Sequence, residues 1–445
     1  MNLTPIIQLL NFSKCKDLYK GKMTDQVTTQ EVLTTADGVP LKISLKRAMR
    51  RKMITSLLLV TPLFLFILLT FLMPITDMLL RSVDNKIVGE QIPRTVPLLY
   101  SWDETGQELP GEDIYRAMVE DIKEGAEAKT ILRLGRRLNF ERSGMSSLFR
   151  KSARTIKSLK QPDSYKAAML KIDRHWGDIN TWQLIKRESG SLTLSHFLSA
   201  VDRQFNDDGT IGPKPEYKQI YIKLFVRTMT ISLLITFMTV LLGYPISYLL
   251  ATLPTRISNM LMILVLLPFW TSLLVRTTAW IALLQKEGVL NDIMVAIGII
   301  SNDHRIVMIH NKIGTVLAMT HILLPFMVLP LFSVMKTIPE SYMRAARSLG
   351  ATRFTAFRRI YLPNSIPGIG AGGILVFILA IGYYITPELV GGVSGTFISN
   401  MIAYHVQGSL NWGLGAALGT LLLMLVLALY ILYDKIVGID NMKLG

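Results

Sequence analysis

Two groups of residues in this chain could do chemistry. The first lies in the basic stretch PESYMRAARSLGATRFTAFRRIYLP at 339–363. Glu340 and Arg344 stand four residues apart, the spacing of a helical ion pair. Arg347, Arg353, Arg358 and Arg359 offer charge to carboxylates or phosphates of a partner. The second group sits in otherwise apolar stretches: Asp77, Arg276 and Glu388, with the aromatic residues Trp280, Tyr383 and Tyr384. Ionisable side chains at membrane depth are costly and often functional. An acidic, aromatic-lined path suits a flexible polycation through charge and cation–π contact. The Trp residues fit an interfacial belt equally well. Arg276 reads either as a gate or ion pair with Glu388 or Asp77, or as a side chain snorkelling to headgroups. Tyr383 and Tyr384 are adjacent and cannot share one helical face, so at most one of them is expected to line a path. His321, just before Pro325, reads as hydrogen-bonded structure rather than a proton relay.

This is the chemistry of recognition and movement. The sequence has no Gly-rich Lys-Ser/Thr phosphate loop, no Ser/His/Asp set and no metal-ligand motif. Cys15 is the single cysteine, which excludes an intrachain disulfide framework and a cysteine-based metal site. No catalytic residue and no bound metal are expected.

The elements that position these residues follow from hydropathy. Charged residues are 18% of the 445 positions and fall between long apolar blocks. A spanning helix needs about 20 apolar residues, and six stretches qualify: 53–79, 225–250, 260–284, 313–335, 366–385 and 414–433. An integral membrane protein with six helices is therefore expected, and a small soluble enzyme or a disordered chain is excluded. The formal charge of +16, from 48 Lys plus Arg against 32 Asp plus Glu, fits basic anchoring of loops better than nucleic-acid binding, because no basic stripe interleaves with aromatics. Lys and Arg cluster before the first span and between the fourth and fifth, and are missing from 386–413. Both termini and the 336–363 loop are thus expected in the cytoplasm. The domain plan is a cytoplasmic segment at 1–52, a first span at 53–80, an outer domain at 81–218, a five-helix core at 219–438 and a tail at 439–445. The first span is long and lacks a small-residue cleavage site, so it reads as an uncleaved anchor. MNLTPIIQLLNF at the N-terminus reads as a short interfacial helix or as the product of an early start codon, with Met23 the alternative. The outer domain is polar and charged. Ile114, Met118 and Ile122, then Tyr165, Met169 and Ile172, recur at helical spacing, so a mostly helical packing or docking domain is expected.

The bracket at 339–363 has its own local logic. Pro339 suits a helix start. Gly350 suits a stop in the left-handed conformation. Ala345 and Ala346 keep the first helix thin enough to lie in a partner's groove. A second short helix should place Phe354, Phe357 and Tyr361 on one face and break at Pro363.

That stretch resembles the Glu-Ala-Ala loop of permease subunits in binding-protein-dependent ABC importers. Ala345, Ala346, Gly350, Ile360, Leu362 and Pro363 fall in register with its pattern of Glu-Ala-Ala, three residues, Gly, nine residues, Ile, one residue and Leu-Pro. LLGYPISYLLA at 241–251, LLVRTTAWIALLQKEGVLNDIMVAIGII at 273–300 and LAIGYYITPELVGG at 379–392 are similar to the spermidine/putrescine branch. The resemblance covers about 218–435, and the outer domain has no counterpart in it. It implies an all-α, six-helix, type I permease core in a bacterial inner membrane. It also implies two copies of an ATPase subunit, which would carry ATP and Mg, a second and different permease subunit, and a periplasmic binding protein. No cofactor is expected on this chain. Glu340, Arg344, Ala345, Ala346, Leu349, Gly350 and Phe354 would then be the ATPase-coupling residues. The motif's Glu position holds Arg344, so that residue departs from the family's role. Trp280, Tyr383, Tyr384, Glu388, Asp77 and Arg276 would line the substrate path. The substrate would be a polyamine or, as other members of the branch move, ferric iron, thiamine or phosphonate. A receptor or channel without an ATPase is the rival reading. An inverted pair of Gly/Pro-broken helices is not evident, which weakens a secondary transporter.

Overall fold

The computed structural model describes residues 41–104, 108–159, 162–206 and 209–437. The readings of 1–40, including Cys15, and of the 439–445 tail lie outside the described residues. The chain forms two compact units, Met1–Pro74 and Ile75–Gly445.

In the first unit, α1 (Leu41–Ile67) runs into a π turn at Leu68–Leu72. Its large apolar side chains are exposed, from Leu57 and Leu58 to Phe71 and Leu72. A helix that presents such a surface all round belongs in hydrocarbon. Thr61 and Thr70 return their hydroxyls to the carbonyls of Leu57 and Phe66, so these two donors are satisfied within the helix. The π turn closes with the Met73 amide donating to the Leu68 carbonyl, directly before Pro74.

The second unit holds both the inserted domain and the membrane core. The inserted domain is helical, as expected. Its main helices are Glu112–Glu127, Ile131–Glu141, Met145–Ile156, Tyr165–Ile172 and Ile179–Arg187, with a two-stranded hairpin of Arg203–Phe205 and Ile211–Pro213. Ile114, Met118, Ile122, Met169 and Ile172 all face its core. The centre is aromatic: Tyr115 Oη and Trp182 Nε1 both donate to the Trp176 carbonyl, at 2.6 and 3.0 Å. A buried ion network closes the side nearer the core. Arg137 Nη2 meets Glu188 Oε2 at 2.6 Å and Arg137 Nη1 meets Glu141 Oε1 at 2.8 Å. Ser195 donates to the remaining Glu188 oxygen at 2.7 Å, so the buried carboxylate is paired on both oxygens.

Membrane helices follow. α2 (Tyr221–Thr252), α5 (Lys312–Thr337), α7 (Leu362–Gly382) and α8 (Trp412–Val437) are single long helices. Between them, α3 (Thr255–Trp270) and α4 (Leu273–Leu284) meet at a 95° bend. The third apolar stretch, read at 260–284, is thus a pair of helices broken just after Pro268. Thr271 and Ser272 are extended, and the Ser272 hydroxyl caps α4 by accepting from the Val275 amide. A Ser N-cap after a proline-ended helix starts a new helix rather than continuing the old one. α4 has 12 residues, about 18 Å of rise, too short to cross a bilayer alone. Among the described residues, five helices have the length and apolarity of a span, or six when the bent pair counts as one.

The three-helix heart of the core is α2, α5 and α7. Glycines let them approach: a Cβ on Gly372 would lie 2.7 Å from Met327 Sδ, and one on Gly243 would lie 2.9 Å from Met327 Cγ. Small residues at such crossings replace the hydrophobic drive that lipid cannot supply. Pro363 does not break the helix it was expected to break. A π turn at Phe357–Tyr361 precedes it, and the Leu362 amide donates five residues back, to Phe357. Proline lacks an amide for its i−4 carbonyl and crowds it. Widening the preceding turn removes both conflicts, as at Pro74.

The inserted domain is tied to this core by a cap. Asp202 accepts from the amides of Ile220, Tyr221 and Ile222 at 3.1, 3.1 and 2.8 Å, satisfying the orphan donors at the start of α2. Nearby, His196 packs against the start of α8, where a Cβ on Gly413 would run into its ring. Burial, with the Arg137 charge adding to it, pushes the His196 imidazole down to about 3. The unfolded chain takes a proton near the ordinary histidine value, and the folded chain refuses it. Stability therefore falls as pH falls from about 6.5 towards 3, by roughly 2 kcal/mol at pH 5. The apparent melting temperature is expected to drop over this window in the native protein and much less in His196→Asn. Parallel curves for the two proteins would refute the assignment.

Candidate functional site: a docking bracket and a polar path

At the end of α5 the chain turns at Pro339 into α6 (Glu340–Ser348). The stop is a complete Schellman arrangement. Gly350 has φ +87°, its amide donates to Arg347, and the Ala351 amide donates to Ala346. Thr352 then caps the helix Arg353–Ala356. Of the two alanines, Ala346 is buried against the bundle and Ala345 faces out. Glu340 and Arg344 do pair, at 3.9 Å, but both are solvent-exposed, so the pair adds only a few tenths of a kcal/mol. Arg347, Arg353, Arg358 and Arg359 have no acidic partner among the described residues.

The aromatic face of the second helix is divided. Phe357 and Tyr361 stack at 5.9 Å and pack on Tyr248, while Phe354 points away, 71% exposed. Phe354 stands in the first turn of that helix, before the π turn at Phe357–Tyr361. Leu349 is 89% exposed and Tyr342 is also exposed. The bracket thus presents three apolar knobs set among unpaired arginines. Tyr342 was not singled out from the sequence, because it falls outside the family pattern.

The residues named for a path fall into three places. Arg276 and Trp280 share a face of α4. Trp280 Nε1 donates to His321 Nδ1 on α5 at 3.2 Å, which gives His321 its structural partner. The Arg276 charge bears on His321 and Tyr383. Arg276 forms neither of the expected ion pairs, and its Nε is buried without a hydrogen-bond partner. Glu388 is elsewhere engaged: its Oε2 accepts from Asn400 Nδ2 at 2.6 Å. Asp77 is paired with Arg81 at 2.9 Å, one helical turn on, and joins neither group.

Tyr383 and Tyr384 do part, as adjacency demands. Tyr383 packs on the core with Met319 and Phe397, while Tyr384 opens into a cleft of about 470 Å³ with Glu388, Asn400, Tyr404 and Gln407. Asn400 organises it, donating to the Tyr384 carbonyl at 2.8 Å as well as to Glu388. The cleft combines one carboxylate, two tyrosine rings and two amides. Asn400, Tyr404 and Gln407 were not foreseen. Their signal was the stretch without Lys or Arg at 386–413, which was read as a loop and is instead built of short helices, including Ile385–Val390, Ile398–Ala403 and a π turn at Tyr404–Gly408.

A helical membrane bundle with a polar cleft and an exposed helix–glycine–helix bracket is consistent with a transport permease. Residues 217–437 match the model of the binding-protein-dependent transport system inner membrane component family, and the chain belongs to that family. It is 32% identical, over 51% of its own length and 78% of the relative's, to the spermidine/putrescine transport system permease protein PotB of Salmonella typhimurium. The PotB of Escherichia coli is 31% identical over 50% and 81% of the two chains. PotC of the same organism is 32% identical over 27% of this chain and 45% of its own. Among solved structures, a bacterial ABC transporter that imports the acidic polysaccharide alginate superposes with a TM-score of 0.40 at 17% identity, covering 50% of this chain and 80% of that one. These relatives are transport permeases, not enzymes. The protein is a multi-pass ABC importer permease, and the inserted domain lies outside the matched region.

Proposed function

We propose that this permease carries a polyamine, spermidine or putrescine, and that it works with a different permease subunit, two ATPase subunits holding ATP and Mg, and a binding protein. The names of the PotB and PotC relatives support the substrate and the paired permeases. The single observation that carries the reading on this chain is the cleft of Tyr384, Glu388, Asn400 and Tyr404. A protonated amine there gains a carboxylate and the faces of two tyrosines. Iron or phosphonate cargo would be poorly matched to one carboxylate flanked by aromatics.

The orientation puts both chain ends and the bracket in the cytoplasm, and the inserted domain outside. The Lys and Arg distribution supports this, since the bracket carries five arginines and the 386–413 segment none. Tyr221, at the inserted-domain end of α2, bonds His405 at 2.8 Å, and Tyr248, near the other end, packs on Phe357 of the bracket. The two features therefore sit at opposite ends of the same helix. In this reading α6 docks in the ATPase through Leu349, Phe354 and Tyr342, with Gly350 setting its angle. Ala345 faces that partner and Ala346 seats the helix on the bundle. Glu340 neutralises Arg344, so the motif's acid contact is taken over by the second permease. Trp280, Tyr383 and Arg276 line the central part of the path beyond the Glu388 cleft. Asp77, paired with Arg81, anchors the end of its helix and takes no part in it.

The test is ATP hydrolysis and uptake by the complex that copurifies with this chain, in lipid discs and proteoliposomes with its binding protein. Spermidine or putrescine should stimulate hydrolysis several-fold and be taken up. Hydrolysis indifferent to polyamines would discard the substrate. No copurifying hydrolysis by an intact complex would discard the ATPase partnership.

A further inference from the structure

The strongest feature left unused is a basic cleft of about 440 Å³ where the inserted domain meets the start of α8. Arg81, Arg133, Arg136 and Trp412 line it. Arg81 directly follows the helix Met73–Leu80, and Trp412 is the first residue of α8. The Arg81 guanidinium lies over the Trp412 ring, 5.6 Å from its centroid. Two apolar helices thus end at this spot, and the tryptophan is of the type that marks the headgroup level.

The charge there is not balanced. Arg81 is paired with Asp77, Asp84 lies 4.0 Å from Lys86, and Arg137 is committed to Glu141 and Glu188. Arg133 and Arg136 are exposed and have no acidic partner among the described residues. They sit on the outward face of the helix Ile131–Glu141, whose inward face is Ile131, Leu134 and Leu138. The cleft is also lined by Phe140, Ile87 and Leu410, all exposed. A water-facing surface gains nothing from large apolar side chains beside free arginines. A membrane surface rewards both, the arginines at phosphate level and the apolar groups just below. His196, at the cleft wall, is held neutral by burial and adds no charge.

We infer that this cleft binds the headgroup of an anionic phospholipid in the leaflet next to the inserted domain, with Arg133 and Arg136 on the phosphate and Phe140 and Leu410 on the glycerol and upper acyl chains. The lipid would fasten the inserted domain to the bilayer at the point where the last membrane helix begins.

The experiment uses the full complex, with native mass spectrometry of retained lipid after exchange into mixed phosphatidylglycerol and phosphatidylcholine. The native protein is expected to retain phosphatidylglycerol selectively. Arg133→Ala with Arg136→Ala should reduce that selectivity by about 25-fold, about fivefold for each basic side chain at an anionic surface. Neither side chain forms a hydrogen bond or ion pair among the described residues, so folding should be preserved, and Arg150→Ala, on another face, should leave selectivity unchanged. Equal retention by native and double-variant protein overturns the inference. So does unchanged lipid selectivity with weakened binding-protein affinity, which would make the cleft a protein-docking surface. Binding of inorganic phosphate alone at the same strength as the lipid would also overturn it.

Discussion

Gly350→Val should cut coupled uptake by about tenfold or more, while the protein still inserts and assembles. Gly350 holds φ +87° and donates to Arg347 as the last turn of α6 closes. A left-handed backbone costs an ordinary L residue about 1–2 kcal/mol, and a β-branched one more. The chain escapes that cost by unwinding the stop, which swings Leu349 and Phe354 away from their places on the bracket. Nothing lies within 4 Å of the position a Cβ would take, so the effect is one of backbone conformation rather than collision. Gly350→Asn is the control, because asparagine tolerates the left-handed region. Uptake per ATP hydrolysed should be near normal in Gly350→Asn and lost in Gly350→Val. Equal coupling in the two variants would remove the bracket from the mechanism.

Glu388→Gln should slow polyamine transport by about ten- to a hundredfold at saturating binding protein, the weight of a charge-assisted hydrogen bond of roughly 1.5–3 kcal/mol. Glutamine keeps the acceptor for Asn400 Nδ2, so the cleft retains its shape and loses only its charge. Binding-protein affinity and the assembly of the complex should not change. Tyr404→Leu, which removes one ring from the same cleft, should cost about three- to tenfold, the range of an exposed or partly desolvated cation–π contact. An unchanged rate in Glu388→Gln would move the substrate away from this cleft and towards the Trp280 and Tyr383 group. The Arg276 charge makes that group less hospitable to a cation.

Gly350 was legible because a glycine after a run of helix formers, with a basic last turn, has few other uses. Ile114, Met118 and Ile122 were legible because a period of four in a polar background needs a buried face. Arg276 was not. Charge alone leaves Arg276 open between a gate, an ion pair and snorkelling, and it does not reveal that Asn400, twelve residues after Glu388, reaches the carboxylate. Phe354 leaves the face shared by Phe357 and Tyr361 because it sits at the helix start, where no neighbouring helix covers it.

By itself, the sequence determined the membrane class, the number of apolar stretches, the helical nature of the inserted domain and the helix–glycine–helix shape of the 339–363 bracket. All of these depend on composition and local periodicity, which residues carry with them wherever they fold. Only the tertiary structure decided that the third span is broken at Thr271 and Ser272, that Asp202 caps α2 across the domain junction, and that Tyr384, Glu388 and Tyr404 share one cleft. It also decided that Arg81, Arg133, Arg136 and Trp412 meet at the start of α8. Each of these joins residues far apart in the chain or sums weak local preferences that nearly cancel. Which contact forms is then settled by packing, where one glycine or one amide donor at the right distance outweighs any propensity.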